Sequence, residues 1–170
     1  TNHITVVLEN IFQAHNSSAS IRSADCFGIQ EVHIIENHNT FKDNSEVSMG
    51  ASKWVNIKRY NKEQENTSKT ILKLKEKGYQ IIATTPHNTD FNLYDLDITK
   101  QKSAIIFGSE INGCSHKTLN MADKKMKIPM YGFTNINFRL THYQIWAQKK
   151  WYHHYMLVRT LLISAYCNLK

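Results

Sequence analysis

The stretch IIFGSEINGCS, residues 105–115, runs from three apolar residues into a segment with two glycines, two serines and one carboxylate. The apolar residues are typical of a strand that is buried on both faces. Gly108 and Gly113 permit a tight turn or a close approach of the backbone to a ligand. The pattern matches neither GxxxxGK[ST] nor GxGxxG. Taken alone, the stretch fits a phosphate-binding loop, a loop that carries a catalytic Glu110, or a simple turn.

Apolar segments of the same kind recur along the chain and alternate with segments of helical pattern. The predicted strands span residues 4–8, 32–36, 79–85, 103–108 and 125–130, and the predicted helices span about 16–27, 61–78 and 116–123, with a further helix from about 139. This alternation indicates an α/β fold with a mostly parallel sheet flanked by helices. We expect Asn16, Ser17 or Ser18 to cap the first helix, Gly28 to end it, and residues 37–48 to form a loop.

Length and composition point to one soluble domain. The chain has 170 residues, of which 41% are hydrophobic, and this is enough for a single core. No apolar run approaches the roughly 20 residues of a membrane-spanning helix, and the first residues lack a signal-peptide pattern. The cysteines Cys26, Cys114 and Cys167 lie far apart and form no CxxC pair. We therefore expect a cytoplasmic protein with reduced thiols, no metal site and no membrane partner.

The charge is strongly uneven along the chain. The formal net charge is +7, which favours a polyanionic partner such as RNA or DNA but also fits a role in solubility alone. Residues 139–170 hold five Lys or Arg and no Asp or Glu, so they supply five of the seven net charges. The aromatic residues between these charges can stack on bases or pack in a core or a dimer interface.

Two further strand ends carry unusual residues, and ligands of open α/β sheets bind beyond the carboxyl ends of the strands. After the first strand, Asn16, Ala19 and Arg22 are spaced i, i+3, i+6, close to a helix N-terminus that attracts anions. The Arg22 guanidinium suits phosphate, although an ordinary capped helix with a solvated arginine gives the same pattern. At the end of the fifth predicted strand, KIPMYGFTNIN brings the apolar Ile128 and Met130 to a place where they can contact a flat ring.

In this order and spacing, the motifs Asn-x-x-Ala-x-x-Arg, Phe-Gly-Ser-Glu-x-x-Gly-x-Ser and Ile-Pro-Met-x-Gly resemble the three motifs of the SPOUT ribose 2′-O-methyltransferases. The TrmH branch, which modifies tRNA, is the most similar. The resemblance also takes in CFGIQEVHII, GASKWV and GYQIIATTPH, so it covers about residues 4–137. It implies a fold with a deep C-terminal trefoil knot, S-adenosyl-L-methionine as the cofactor and a homodimer. The implied reaction is methyl transfer to a ribose of tRNA, at a guanosine of the D-loop.

The resemblance also implies the site residues. The implied cofactor-binding residues are Thr84, Gly108, Ile128, Met130, Ile136 and Asn137. The implied catalytic residues are Arg22, Asn16 and Glu110, with Arg22 acting at the ribose 2′-hydroxyl. Because a guanidinium stays protonated in proteins, we expect Arg22 to fix a phosphate or the hydroxyl rather than to act as a base. The neighbouring His15 is another candidate base on chemistry alone, although a capping or surface role is the more common one for a histidine in such a place.

The third motif departs from the family. After GFT the family has Glu-Ser-Leu-Asn, whereas this chain has Asn135-Ile136-Asn137 followed by the bulky Phe138 and Arg139. Either a frameshift near codon 135 altered the tail, or the chain is a divergent member whose basic, aromatic tail binds RNA. The predicted organisation is one domain over residues 1–170 with an atypical tail from about 139. A ribosomal RNA substrate, or RNA binding without methyl transfer, are the alternatives to a tRNA methyltransferase.

Overall fold

The computed structural model describes residues 3–62, 65–99 and 101–129. Within these ranges the chain forms seven strands, four α-helices and two short 3-10 turns. In chain order the strands and α-helices are β1 Ile4–Glu9, α1 Ala14–Cys26, β2 Glu31–Ile35, α2 Ser45–Ser48, β3 Asn56–Tyr60, α3 Asn66–Glu76, β4 Gln80–Thr84, β5 Phe91–Asn92, β6 Ser103–Phe107, α4 His116–Met121 and β7 Lys124–Lys127. The five predicted strands and three predicted helices in these ranges are confirmed, with bounds that shift by a few residues.

The strands form one sheet in the order β3-β2-β1-β6-β4-β7-β5, and each neighbouring pair in the described residues is parallel. The predicted parallel sheet is therefore confirmed. Strands β2 and β3 follow β1 in sequence and extend the sheet on one side of β1. The later strands lie on the opposite side of β1, where β6 is placed between β1 and β4. The direction of strand addition thus reverses beside β1 and β6. Open α/β sheets bind their ligands at such a reversal, beyond the carboxyl ends of the strands.

Side chains of both faces of the sheet are buried under helices. On one face, Val6 and Leu8 of β1 pack in a cluster with Ile21 of α1. On the other face, Val7 packs in a cluster with Ile71 of α3. Burying each large aliphatic side chain contributes about 1.5–3 kcal/mol. Because successive residues point to opposite faces, a central strand with two covered faces consists mostly of apolar residues, as β1 and β6 do.

Helix α1 begins earlier than expected, at Ala14, so the predicted caps Asn16, Ser17 and Ser18 are wrong. These three residues lie inside the helix, where Ser17 Oγ donates to the Ala14 carbonyl at 2.9 Å. The N-cap residue is Gln13, and its side chain makes no capping hydrogen bond. The end of the helix agrees with the prediction, because Gly28 follows it with a left-handed φ of +72°.

The sequence patterns missed the small helix α2 and the edge strands β3 and β5. Helix α2 lies inside the predicted loop 37–48. Strand β3 reads NIKRY, and its side chains are exposed or half-buried because it lies at the edge of the sheet. Such a strand carries no apolar run to mark it. Among the described residues no helix is long and apolar enough to cross a membrane. The predicted helix from about 139 and the predicted knot lie outside the described residues.

Candidate active site

The loops after β1 and β6 meet at the carboxyl edge of the sheet, because these two strands are parallel neighbours. The loop after β1 leads into α1, and residues 108–115 form the loop between β6 and α4. Helix α1, which follows the first loop, carries the predicted first motif, and the second loop carries the predicted second motif. Strands β4 and β7 end at the same edge, and they are also parallel neighbours. Apart from Arg22, which lies further along α1, the expected site residues in the described part of the chain therefore lie at this edge.

Glu110 is the acidic group of the second loop, and it is buried with 6% of its surface exposed. Its carboxylate accepts hydrogen bonds from Phe12 N at 2.9 Å, Gln13 N at 3.3 Å and Asn16 Nδ2 at 2.6 Å. The N-terminus of a helix stabilises negative charge, so α1 binds an anion that belongs to its own chain. This contact brings together two of the three predicted catalytic residues, which are 94 positions apart in sequence.

Arg22 lies on the same helix but apart from this contact. It is half-buried, whereas Asn16 and Ala19 are buried with 4% and 7% exposure. Arg22 is six residues after Asn16, which places it about 9 Å further along the helix axis and about a third of a turn around the helix from Asn16. Among the described residues no hydrogen bond or ion pair engages the Arg22 guanidinium. The predicted common helix side thus holds for Asn16 and Ala19, and Arg22 lies at its boundary.

The loop after β6 closes on itself as a turn. Ser109 N donates to the Gly113 carbonyl at 3.0 Å, and Gly113 N donates to the Ser109 carbonyl at 2.9 Å. Gly113 adopts a φ of +69°, which favours glycine. A Cβ atom on Gly108 would lie 1.9 Å from the Gly113 carbonyl carbon and 2.0 Å from Cys114 N. In this structure the space beside the Gly108 Cα is therefore filled by the chain's own backbone, and glycine is needed there for packing.

The Ile106 carbonyl joins this loop to the end of β4. Cys114 Sγ donates to this oxygen at 3.5 Å, and Thr84 Oγ1 donates to the same oxygen at 2.9 Å. Burial, together with the nearby Glu9 carboxylate, raises the pKa of Cys114 to about 12, so the thiol remains protonated at neutral pH. The half-buried Thr84 and the loop that begins at Gly108 are thus held against one another.

The third motif is only partly described. Ile128 follows β7 and is a half-buried residue that packs against the core cluster on the α1 face. The predicted cofactor residues Met130, Ile136 and Asn137 lie outside the described residues. The arrangement therefore unites Thr84, the loop from Gly108 and Ile128 at the ends of three adjacent strands in the sheet order β6-β4-β7.

His15, the other candidate base, precedes Asn16 in the first turn of α1. The side chain is half-buried, and burial lowers its pKa below the ordinary value of 6.5. A lowered pKa keeps the imidazole neutral at physiological pH, which is the state that a base requires.

The sequence patterns did not identify two polar residues at the end of strand β1, Glu9 and Asn10. Glu9 is buried and accepts hydrogen bonds from Ser115. Asn10 has a left-handed φ of +51°, and its Oδ1 accepts from Asn37 N at 2.8 Å and His38 N at 3.1 Å. The signal that could have found them is their position, since two polar residues directly follow an apolar strand at the ligand-binding edge.

These features define an open parallel α/β domain with a candidate ligand site at the carboxyl edge, built from loops that follow β1, β6, β4 and β7. The sequence model of the SpoU rRNA Methylase family matches residues 3–137. The chain belongs to this family, which confirms the resemblance drawn from the three motifs.

Relatives with assigned names are similar over most of this chain. It is 44% identical over 134 residues to the tRNA (guanosine(18)-2′-O)-methyltransferase of Borreliella burgdorferi, covering 79% of this chain and 59% of that protein. It is 34% identical over 129 residues to the enzyme of the same name from Thermus thermophilus, covering 76% and 64% respectively. The chain therefore matches less than two thirds of the length of these relatives.

Solved structures share the fold. The A. aeolicus TrmH/SpoU tRNA modifying enzyme superposes with a TM-score of 0.78 at 24% identity, covering 99% of this chain and 76% of that one. The methyltransferase AviRb from Streptomyces viridochromogenes, solved in complex with AdoMet, superposes with a TM-score of 0.71 at 18% identity, covering 97% and 57%. At these identities the likeness establishes the fold.

Proposed function

We propose that this chain is an S-adenosyl-L-methionine-dependent RNA 2′-O-ribose methyltransferase that acts on tRNA, at a guanosine of the D-loop. The observation that carries the proposal is the 2.6 Å hydrogen bond from Asn16 to Glu110, which joins the first and second motifs at the ligand-binding edge of the sheet. Family membership and the names of the relatives with 44% and 34% identity support the reaction and the substrate.

The residues at this edge suit the cofactor in kind. The half-buried Ile128 offers an apolar surface of the sort that an adenine ring requires, and Thr84 and the backbone from Gly108 offer polar groups beside it. The proposed cofactor-binding residues are Thr84, Gly108, Ile128, Met130, Ile136 and Asn137. When bound, the cofactor supplies a methyl group on a positively charged sulfonium, and the rest of the cofactor is a good leaving group. The protein therefore mainly has to align the reacting atoms and accept a proton.

The remaining roles fall to α1 and the loop that meets it. Arg22 fixes a substrate phosphate or the ribose 2′-hydroxyl, since no described residue engages its guanidinium. Asn16 lies beside the reacting ribose, and Glu110 holds the Asn16 amide in place by accepting its hydrogen bond. Glu110 is therefore a positioning residue in this proposal.

The wider organisation follows the same proposal. The protein acts as a cytoplasmic homodimer, residues 1–170 form one domain, and a C-terminal trefoil knot completes the cofactor pocket. The five net positive charges of residues 139–170 contribute to RNA binding. The alternatives are a ribosomal RNA substrate, which the family name favours, and RNA binding without methyl transfer, which the altered third motif favours.

Replacement of Arg22 tests the assignment of the site. We expect Arg22→Ala to reduce tritiated methyl transfer into tRNA by about 100-fold or more, because it removes a fixed charge from the reacting centre. The cofactor dissociation constant, measured by calorimetry, should stay within about threefold of wild type, since Arg22 is not in the proposed cofactor set. Lys62→Ala, which removes one exposed positive charge elsewhere, is the control and should leave transfer unchanged. Equal loss of transfer and cofactor binding would contradict the role given to Arg22.

The cofactor and the substrate are tested on the unaltered chain. Absence of heat on titration with S-adenosyl-L-methionine would overturn the enzyme proposal and favour an RNA-binding protein without methyl transfer. Methylation of bulk rRNA in preference to bulk tRNA would overturn the substrate. Resequencing the gene across codon 135 tests the tail, because a single-base change that restores Ser-Leu-Asn identifies a frameshift and an intact frame excludes it.

A further inference from the structure

Glu9, the last residue of β1, is a buried carboxylate that the proposed reaction does not use. Only 1% of its surface is exposed, although it lies at the carboxyl edge of the sheet where the candidate site is built. Burying a carboxylate is unfavourable unless hydrogen bonds compensate for the lost water. The residues that donate hydrogen bonds to Glu9 therefore show which part of the structure this carboxylate holds in place.

Two of the donors to Glu9 come from one residue of the loop after β6. Ser115 N donates to Oε2 at 2.9 Å, and Ser115 Oγ donates to Oε1 at 2.7 Å. The third donor is Thr67 Oγ1 of α3, at 3.0 Å from Oε1. Ser115 also caps α4, since its Oγ accepts from Thr118 N at 3.2 Å. Glu9 thus fixes both the backbone and the side chain of the residue at which the loop ends.

The position of Ser115 is transmitted to Gly108 through a single residue. Cys114 directly precedes Ser115, and its backbone nitrogen would lie 2.0 Å from a Cβ atom on Gly108. The Cys114 thiol also contacts the Ile106 carbonyl, the oxygen to which Thr84 donates. A displacement of Ser115 therefore moves the backbone that is packed against Gly108 and the thiol that shares its acceptor with Thr84.

We propose that Glu9 is a positioning residue for the methyl-donor pocket, because its hydrogen bonds to Ser115 fix the backbone that packs against Gly108. This inference rests on the proposed function, since it assigns Glu9 a role in the same cofactor site. The contact to Thr67 has no role in positioning the loop, because Thr67 connects Glu9 to α3. The two kinds of contact can be separated by experiment.

The central variant is Glu9→Gln, which keeps the size of the side chain and replaces one acceptor oxygen with a donor. We expect the dissociation constant for S-adenosyl-L-methionine to rise by about tenfold, by analogy with the roughly 10–100-fold losses that follow replacement of residues behind metal ligands. Ser115→Ala, which removes the hydroxyl donor but keeps the backbone N–H donor, should also raise it. The two changes should be less than additive in the double variant, because they act on the same pair of residues. Ser115→Thr keeps the hydroxyl and the backbone N–H and should restore near-normal affinity.

Thr67→Val is the matched control, because it removes the third donor to Glu9 without touching the loop. It should lower the unfolding temperature while leaving the cofactor dissociation constant within about twofold of wild type. The inference is wrong if folded Glu9→Gln binds the cofactor as wild type does, or if Thr67→Val weakens binding as much as Glu9→Gln.

A second measurement does not depend on cofactor binding. The buried Cys114 reports on the loop through its rate of alkylation by iodoacetamide, followed by peptide mass spectrometry, with the exposed Cys26 as an internal reference. We expect Glu9→Gln and Ser115→Ala to accelerate alkylation of Cys114, and Thr67→Val to leave it unchanged. Ser115→Ala separates loop movement from charge, because Glu9→Gln also removes the carboxylate that, besides burial, raises the Cys114 pKa, whereas Ser115→Ala keeps it. If wild type binds no cofactor, the proposed function fails while this measurement still decides whether Glu9 positions the loop. Unchanged alkylation in Glu9→Gln would overturn that role.

Discussion

Replacement of Glu110 by glutamine alters a buried carboxylate that accepts three hydrogen bonds. Oε1 accepts from Gln13 N and Asn16 Nδ2, and Oε2 accepts from Phe12 N. A glutamine side chain has one acceptor oxygen, so in either orientation its amino group faces at least one N–H donor. The substitution therefore leaves at least one donor at the start of α1 without an acceptor and removes the negative charge there.

The magnitude follows from these two losses. A buried donor without an acceptor costs about 1–3 kcal/mol, and a negative charge at a helix N-terminus contributes about 0.3–1 kcal/mol. We expect Glu110→Gln to lower the free energy of unfolding by about 2–3 kcal/mol. Glu110→Ala, which removes all three acceptor contacts, should lower it by about 3 kcal/mol or more.

Urea unfolding followed by circular dichroism at neutral pH measures both variants. Glu76→Gln is the matched control, because Glu76 is exposed on α3, and its replacement should change the free energy of unfolding by less than about 0.5 kcal/mol. The reasoning is refuted if Glu110→Gln unfolds at the wild-type urea concentration and yet loses methyl transfer. In that case Glu110 would act on the substrate directly rather than by holding Asn16 and the start of α1.

Two further predictions concern the fold around the site. His33 is buried, with Nδ1 at 2.8 Å from Tyr60 Oη and Nε2 at 2.8 Å from Glu31 Oε1, and burial lowers its pKa from 6.5 to about 4. The neutral imidazole is thus favoured in the folded state. Its contribution of about 3 kcal/mol to the free energy of unfolding is complete above pH 6.5 and is lost as the pH falls to about 4. Urea unfolding at a series of pH values should show this fall in the free energy of unfolding, and His33→Gln should make the fall smaller. Gly108→Ala would place its Cβ 1.9 Å from the Gly113 backbone and should lower the free energy of unfolding by about 3 kcal/mol or more. Gly113→Ala meets no atom within 4 Å and should lower it by only about 1–2 kcal/mol, because of the left-handed φ. Thermal unfolding that ranks the two variants in the opposite order would contradict this account of the loop.

The central strands were predictable because their environment leaves a local signal. Strand β6 is buried at each of its five positions, and a strand with two covered faces is mostly apolar, as the run from Ala104 to Phe107 shows. Strand β3 was missed because an edge position permits Lys58 and Arg59, and helix α2 was missed because its four residues carry no periodicity. The start of α1 was misplaced because the polar residues of its first turn bond inside the fold rather than cap the helix.

The sequence by itself determined the alternation of strands and helices, the family and the identity of the motif residues, because these depend on residue type and spacing along the chain. Only the tertiary structure decided which polar groups meet. Asn16 and Glu110 are 94 positions apart, and Glu9 and Ser115 are 106 positions apart, so no local pattern links the members of either pair. Their contacts arise because β1 and β6 are neighbours in the sheet. The use of Gly108 was decided in the same way, since the atoms that exclude a side chain there come from the loop's own return.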